Sequence, residues 1–202
     1  YNNGRGDNNI FIGISAGFNN NGYVGMEGHD NVFIGNEAGY SNTTGHNNCF
    51  IGQTAGRSNQ TGIYNVMVGT DAGQNATRNY NTFVGHGAGE QTTTGDNNTY
   101  IGSGASAKNF TGDDNVIVGG NAAFWSNTGR RNVIIGASAA LLTSTEDLGD
   151  SNVLIGCQVA QNEDGISNKL FIENSNSSTP LIWGDFDNDS VKIFSYLNVN
   201  AA

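Results

Sequence analysis

Nine times along this chain the same short unit recurs: an asparagine, any residue, an apolar residue, an isoleucine or valine, and a glycine. The units begin at Asn9, Asn31, Asn48, Asn65, Asn81, Asn98, Asn115, Asn132 and Asn152. Their glycines are Gly13, Gly35, Gly52, Gly69, Gly85, Gly102, Gly119, Gly136 and Gly156. Successive glycines stand 22, 17, 17, 16, 17, 17, 17 and 20 residues apart. A fixed period of this length is the signature of a stacked array with one coil per repeat.

Two further columns keep the same register. Three residues after each glycine is a small apolar residue: Ala16, Ala38, Ala55, Ala72, Ala88, Ala105, Ala122, Ala139 and Val159. Three residues before each asparagine is a second glycine, except in the fifth coil, where Arg78 takes its place.

Each column has a physical task. Residues between Asn and Gly are mostly β-branched or aromatic, which suits a short strand. The strand-ending glycine permits a corner at positive φ. The alanines face a narrow interior, and Thr-Gly steps such as Thr44-Gly45 and Thr94-Gly95 make the return turn. Asparagines aligned on successive coils are expected to hydrogen-bond side chain to side chain as a ladder. Glycine interrupts every window that could carry a helical stripe. The fold expected is therefore all-β, a parallel β-roll or β-helix solenoid of nine coils over residues 1–160.

Composition narrows the function. Only 13% of residues are charged, with 18 acidic against 8 basic and a formal charge of −10. That balance repels phosphate, so no nucleic-acid partner is expected. No apolar run approaches the roughly 20 residues of a membrane helix, so this segment is not expected to insert into a membrane. The chain opens at Tyr1 with no starting Met or signal peptide, and is read as a mature or excised segment of something longer.

Strand side chains alternate between two faces, and both are apolar. One carries Val32 and Ile34, Val66 and Val68, Val116 and Val118 and their equivalents. The other carries Phe11, Phe33, Phe50, Met67, Phe83, Tyr100, Ile117, Ile134 and Leu154. A thin roll has one interior, so the second column must be covered by another molecule. The expectation is a homo-oligomer about an axis parallel to the solenoid, with the aromatic column as its interface.

The unit Asn31-Val32-Phe33-Ile34-Gly35-Asn36-Glu37-Ala38-Gly39 resembles the Ser/Asn-Val-Ala-Ile-Gly-x-x-Ala repeat of trimeric autotransporter adhesin heads (YadA-like). It is most similar to a longer-period variant in bacterial surface and fibre proteins, and the likeness covers roughly residues 8–160. The resemblance implies a left-handed parallel β-roll, three chains side by side, and an extracellular role in adhesion at the bacterial cell surface. Its ligand would be a host-cell, prey or matrix surface. Two departures are the longer period and Phe in place of the middle Ala; a larger residue there widens the bundle, which leaves copy numbers other than three open. Similar repeats occur in tail fibres of phages and contractile injection systems, which leaves the parent assembly open.

Residues 161–202 lose the repeat. Asn168–Ile172, Leu181–Trp183 and Val191–Phe194 read as three strands of a meander that caps the last coil. Phe124, Trp125, Leu141 and Leu142 replace polar loop residues of earlier coils and are expected to pack toward this end.

Individual motifs point to little chemistry. Arg5-Gly6-Asp7 matches an integrin-type tripeptide, but Gly6 is the regular pre-strand glycine and a plain turn is the favoured reading. Asp185-Phe186-Asp187-Asn188-Asp189-Ser190 alternates carboxylates like a calcium loop, yet lacks the sixth-position glycine, and Tyr196 stands where the bidentate Glu belongs. Cys49 and Cys157 lie six coils apart, about 29 Å at ~4.8 Å per coil, beyond disulfide reach. His29, His46 and His86 read as dispersed. No catalytic constellation, metal site or cofactor is expected. A left-handed β-helix acyltransferase would need three hexapeptides per coil where one is evident, and ice binding would need a Thr-x-Thr column that does not run from coil to coil. The function expected is that of a non-enzymatic adhesin or fibre head holding glycans or matrix through its polar loops, or of a tail-fibre segment.

Overall fold

The computed structural model describes residues 7–20, 28–126, 128–142, 147–161, 163 and 165–194. It is all-β, with no helix among the described residues. Nine strands of three residues come first: β1 Ile10–Ile12, β2 Val32–Ile34, β3 Cys49–Ile51, β4 Val66–Val68, β5 Thr82–Val84, β6 Thr99–Ile101, β7 Val116–Val118, β8 Val133–Ile135 and β9 Val153–Ile155. Each pairs in parallel with the next, residue for residue: Phe33 faces Phe50, Phe50 faces Met67, Met67 faces Phe83. Every column aligned in the sequence is thus a column along a parallel β-solenoid of about eight turns, rising ~4.8 Å per turn.

The asparagine column is buried along its length and holds the turns in register. It does so differently from a side-chain ladder. Each Asn Oδ1 accepts the backbone N–H of the next asparagine, as from Asn48 to Asn31 (3.0 Å), Asn81 to Asn65 (2.9 Å) and Asn98 to Asn81 (3.0 Å). Nδ2 donates to a carbonyl of the pre-strand glycine column, as from Asn48 to Gly62 (2.8 Å) and Asn81 to Gly95 (2.9 Å), or to the residue that replaces it, Arg78 for Asn65 and Ile166 for Asn152. Side-chain to side-chain bonds occur at some rungs only, such as Asn65 to Asn48 and Asn115 to Asn98 (both 3.1 Å). The carboxamide is selected because it supplies one acceptor and one donor at the site where a strand-start N–H and a turn carbonyl would otherwise be buried unpaired.

The interior is the aromatic column packed on the alanine column. Phe33, Phe50, Met67, Phe83, Tyr100, Ile134 and Leu154 are wholly buried, as are the alanines from Ala16 to Ala139. Ring centroids of Phe33 and Phe50 lie 4.9 Å apart with planes within 7°, so the stacking distance is close to the rise of the solenoid. The expected oligomer interface was this column, and the structure overturns that: Phe33, Phe50, Met67, Phe83, Tyr100, Ile117, Ile134 and Leu154 are inside a single chain, with Phe11 partly buried against the same core. Apart from Phe11 they have almost no accessible surface to offer a partner. The face turned outward is the Val/Ile face.

Size compensation shows why this column belongs inside. Six residues after Phe11, Phe33, Phe50, Met67 and Phe83 stand Gly17, Gly39, Gly56, Gly73 and Gly89. A Cβ at Gly56 would lie 2.6 Å from the Phe50 ring. Where the strand centre shrinks to Ile117, Ile134 or Leu154, the same position becomes Ala123, Ala140 or Ala160, and at Tyr100 it is Ser106. Strand centre and following turn share one interior of near-constant volume.

Among the described residues Tyr100 alone brings a phenol into that interior, and burial pushes its pKa above the ordinary value of 10.0. A raised pKa favours the neutral form in the folded chain. Its contribution to stability is therefore fully present below pH ~10 and lost as pH rises past that value. In an ultraviolet titration one of the seven tyrosines should stay protonated until the fold is lost. Ionisation of all seven with the native β spectrum intact would contradict this.

The C-terminal end closes the array. β10 Lys169–Ile172, β11 Ile182–Asp185 and β12 Ser190–Ile193 form the expected antiparallel meander. β10 also continues the parallel stack, with Phe171 facing Leu154 and Lys169 N–H donating to Asn152 Oδ1 (3.0 Å). Leu142, Leu148 and Phe171 join the core here, with Trp125 and Trp183 packed against it. The last strands are nonetheless more open than the earlier coils, with Leu181, Val191, Ile193 and Phe194 exposed.

Candidate interaction surface

The outward face of the nine strands is built from two columns. The first is Ile10, Val32, Cys49, Val66, Thr82, Thr99, Val116, Val133 and Val153; the second is Ile12, Ile34, Ile51, Val68, Val84, Ile101, Val118, Ile135 and Ile155. No member is charged, and all are half-buried or exposed. Val66 is 38% exposed, Val116 40% and Ile101 41%. β-Branched side chains on a pleated strand stand rigidly outward, so the face is flat and stiff. Nine rungs at ~4.8 Å and strands of three residues at ~3.3 Å make it roughly 40 Å by 10 Å. An uncharged, mostly apolar footprint on the order of 400 Å² is the size of the largest, often functional, patch on a protein surface.

Cys49 stands in the first column and Cys157 follows β9; both are free thiols. Burial pushes the Cys49 pKa up, which keeps it a neutral apolar member of the face. Thr82 and Thr99 adjoin in that column but are flanked by valines.

The turns away from this face are polar and carry their own ladders. Phe18 stacks on Tyr40 with centroids 5.2 Å apart, and Arg57 lies 5.4 Å over the Tyr40 ring while its Nε meets Glu37 Oε2 at 2.7 Å. Tyr64 and Tyr80, both about half exposed, stack at 5.4 Å. His29 and His46 do not lie dispersed as expected. They occupy one column in adjacent coils and stack at 4.8 Å, because their separation of 17 residues is one turn. The hydrogen bond from His29 holds the neighbouring Asp30 carboxyl below the usual carboxylate range, helped by Asn8. His86 stands apart on an exposed corner.

Other expected motifs resolve simply. Of Arg5-Gly6-Asp7, only Asp7 lies within the described residues; its carbonyl accepts Asp30 N–H at 3.0 Å, as a stacked turn residue does. Residues 21–27 of the first long loop lie outside them too. Asp185–Ser190 forms the tight β11–β12 turn. Asp185 accepts from Asn188 Nδ2 (2.9 Å) and Asp187 N–H (3.0 Å) and pairs with Lys169 Nζ (3.0 Å). The Asn188 and Lys169 bonds lower its pKa. Tyr196 falls outside the described residues. No group of three or more His, Cys, Asp or Glu among the described residues is arranged to hold a metal ion. No helix among them is long and apolar enough to cross a membrane. Compared with family models, with curated proteins and with solved structures, the chain matches none.

Proposed function

We propose that this chain is a head segment of an extracellular surface fibre, in which copies pack side by side through the Val/Ile face and present polar turns to surface glycans or matrix. The observation that carries the reading is the uncharged, largely β-branched face running over nine rungs. A partner for such a face needs side chains repeating at the rise of the solenoid over the same length. A second copy in parallel register meets that requirement rung by rung, and closed rotation about the long axis gives a bundle, with three chains the leading copy number. Bundling hides the apolar columns and leaves the turns outward.

The turns fit a holding role rather than a catalytic one. They repeat, they carry ring stacks and amides, and a bundle multiplies each weak contact by copy number and by rung. The likeness of the repeat to adhesin heads supports the same reading. The test is adhesion: beads coated with the assembled protein should bind a glycan or matrix array. An assembly-deficient form should lose at least about 100-fold in apparent affinity. Equal binding by single chains, or binding to nothing on such arrays, would remove adhesion as the function.

A further inference from the structure

One turn of the solenoid lacks a residue. Two residues separate the inward polar column from the pre-strand glycine at Thr43-Thr44, Gln60-Thr61, Thr93-Thr94 and Phe110-Thr111. Between β4 and β5 only Thr77 remains, with Ala76 before it and Arg78 after it. The hydrogen bonds locate the same deletion. Asn31, Asn48, Asn81 and Asn98 reach a glycine carbonyl 14 residues on, whereas Asn65 reaches the Arg78 carbonyl 13 residues on (2.7 Å). Arg78 therefore keeps the glycine's place in the ladder while the turn beside it is short. The neighbouring turns overhang the gap and leave an open notch of about 400 Å³ lined by Gln60, Thr61, Thr77, Arg78, Asn79 and Thr94. That volume is in the range of small-molecule sites.

The lining is hydroxyls and amides around one cation. Arg57, Arg130 and Arg131 each face a carboxylate; Arg78 faces none among the described residues. The Asp96 carboxylate of the next coil is engaged by Asn79 N–H (2.8 Å), and Asn79 Oδ1 by Ile63 N–H (3.0 Å). The side chains of Gln60, Thr61 and Thr94 make no hydrogen bond within the described chain. Independently, the buried polar column is broken at this rung. Asn42 donates to Asn20 Oδ1 at 2.7 Å, but Ala76 separates Asn59 from Thr92. Both Asn59 amide atoms and Thr92 Oγ1, fully buried, have no partner, as is true of Asn42 Oδ1, Tyr100 Oη, Ser106 Oγ and Asn109 Nδ2 in other coils. The Arg78 cation and the free side chains of Gln60, Thr61 and Thr94 thus meet at the short turn, in a chain whose net charge is −10.

We infer that this notch is a subsite for an acidic sugar unit, a uronic-acid-type residue of a surface polysaccharide. The guanidinium fork suits a carboxylate in two-point contact, and the Thr61 and Thr94 hydroxyls with the Gln60 amide and Asn79 Nδ2 suit ring hydroxyls; the Thr77 hydroxyl is already bonded to the Thr93 carbonyl (2.6 Å). A single arginine does not suit a densely phosphorylated polymer. The inference names a ligand class within the adhesive reading and rests on it.

The test uses the intact chain, with trigalacturonate as probe in titration calorimetry and saturation-transfer NMR. Its methyl ester and maltotriose serve as neutral comparators, and acetate and sulfate as simple anions. Trigalacturonate should bind, and Arg78→Gln should weaken it about tenfold or more, as should esterification. A Thr inserted after Thr77 together with Arg78→Gly, which restores the regular turn, should abolish binding with the fold retained. Unchanged binding in Arg78→Gln, competition by acetate or sulfate at the concentration of the trisaccharide, or no binding of trigalacturonate would each overturn the subsite. Those failures are separable from failure of the adhesive reading, which is scored on the glycan and matrix arrays.

Discussion

Replacing Gly85 by Ala is expected to cost more than about 4 kcal/mol and to disrupt the solenoid around β5, while Gly87→Ala two residues away costs about 1 kcal/mol. Gly85 has φ +136°, and a Cβ there would lie 2.5 Å from the Gly102 carbonyl oxygen. Neither side can yield: Gly85 N–H is bonded to Val68 O (2.8 Å), and the Gly85 carbonyl already sits where a Cβ on Gly69 would fall (2.5 Å). Shifting one coil shifts the column. Gly87 has φ +64° with its nearest obstacle a mobile Glu90 oxygen 3.6 Å away, and Thr54 and Asp71 occupy the equivalent position at φ near +57°. Thermal melts of the two variants at one protein concentration check the contrast; similar losses would show that stacking is looser than the structure requires.

The columns were legible because a stacked array repeats its constraints. The strand-ending glycines, the buried alanines and the asparagines could each be placed from spacing, since a single departure would break contacts with two neighbouring turns. Which apolar face lies inside was not legible from alternation, which says only that Phe50 and Ile51 point opposite ways. The informative signal was the pairing of Phe50 with Gly56 and of Ile117 with Ala123, a trade of volume that only a shared interior demands. The parallel rung at β10 was hidden because Lys169 and Glu173 stand where Asn and Gly mark the other strands. Stacking of His29 on His46 is implicit in their separation of 17 residues, one full turn. The notch was visible only as a spacing of 16 between Gly69 and Gly85 and as Arg78 out of pattern; that the missing residue opens a cavity needed coordinates.

A charge on the outward face should abolish assembly. Val116 lies in β7, with neighbouring rungs on both sides, and is 40% exposed in the single chain, so Val116→Asp leaves the core of Ile117 and Ala122 intact. In a bundle the same carboxylate would be buried against its own copies, unpaired and mutually repelling, at several kcal/mol per subunit. Assembly should weaken by about 1,000-fold or more with the β spectrum unchanged. Val116→Thr, a residue that Thr82 and Thr99 already place in this column, should assemble normally, as should Thr111→Asp in a turn. An assembled Val116→Asp would move the interface elsewhere.

Whether the Val/Ile face is covered by further copies of this chain is decided by the native mass of the wild-type protein across a dilution series. A stable multiple of the chain mass, three being the expected number, is predicted down to low micromolar concentration. A folded monomer across that range, with the face open to water, would contradict it.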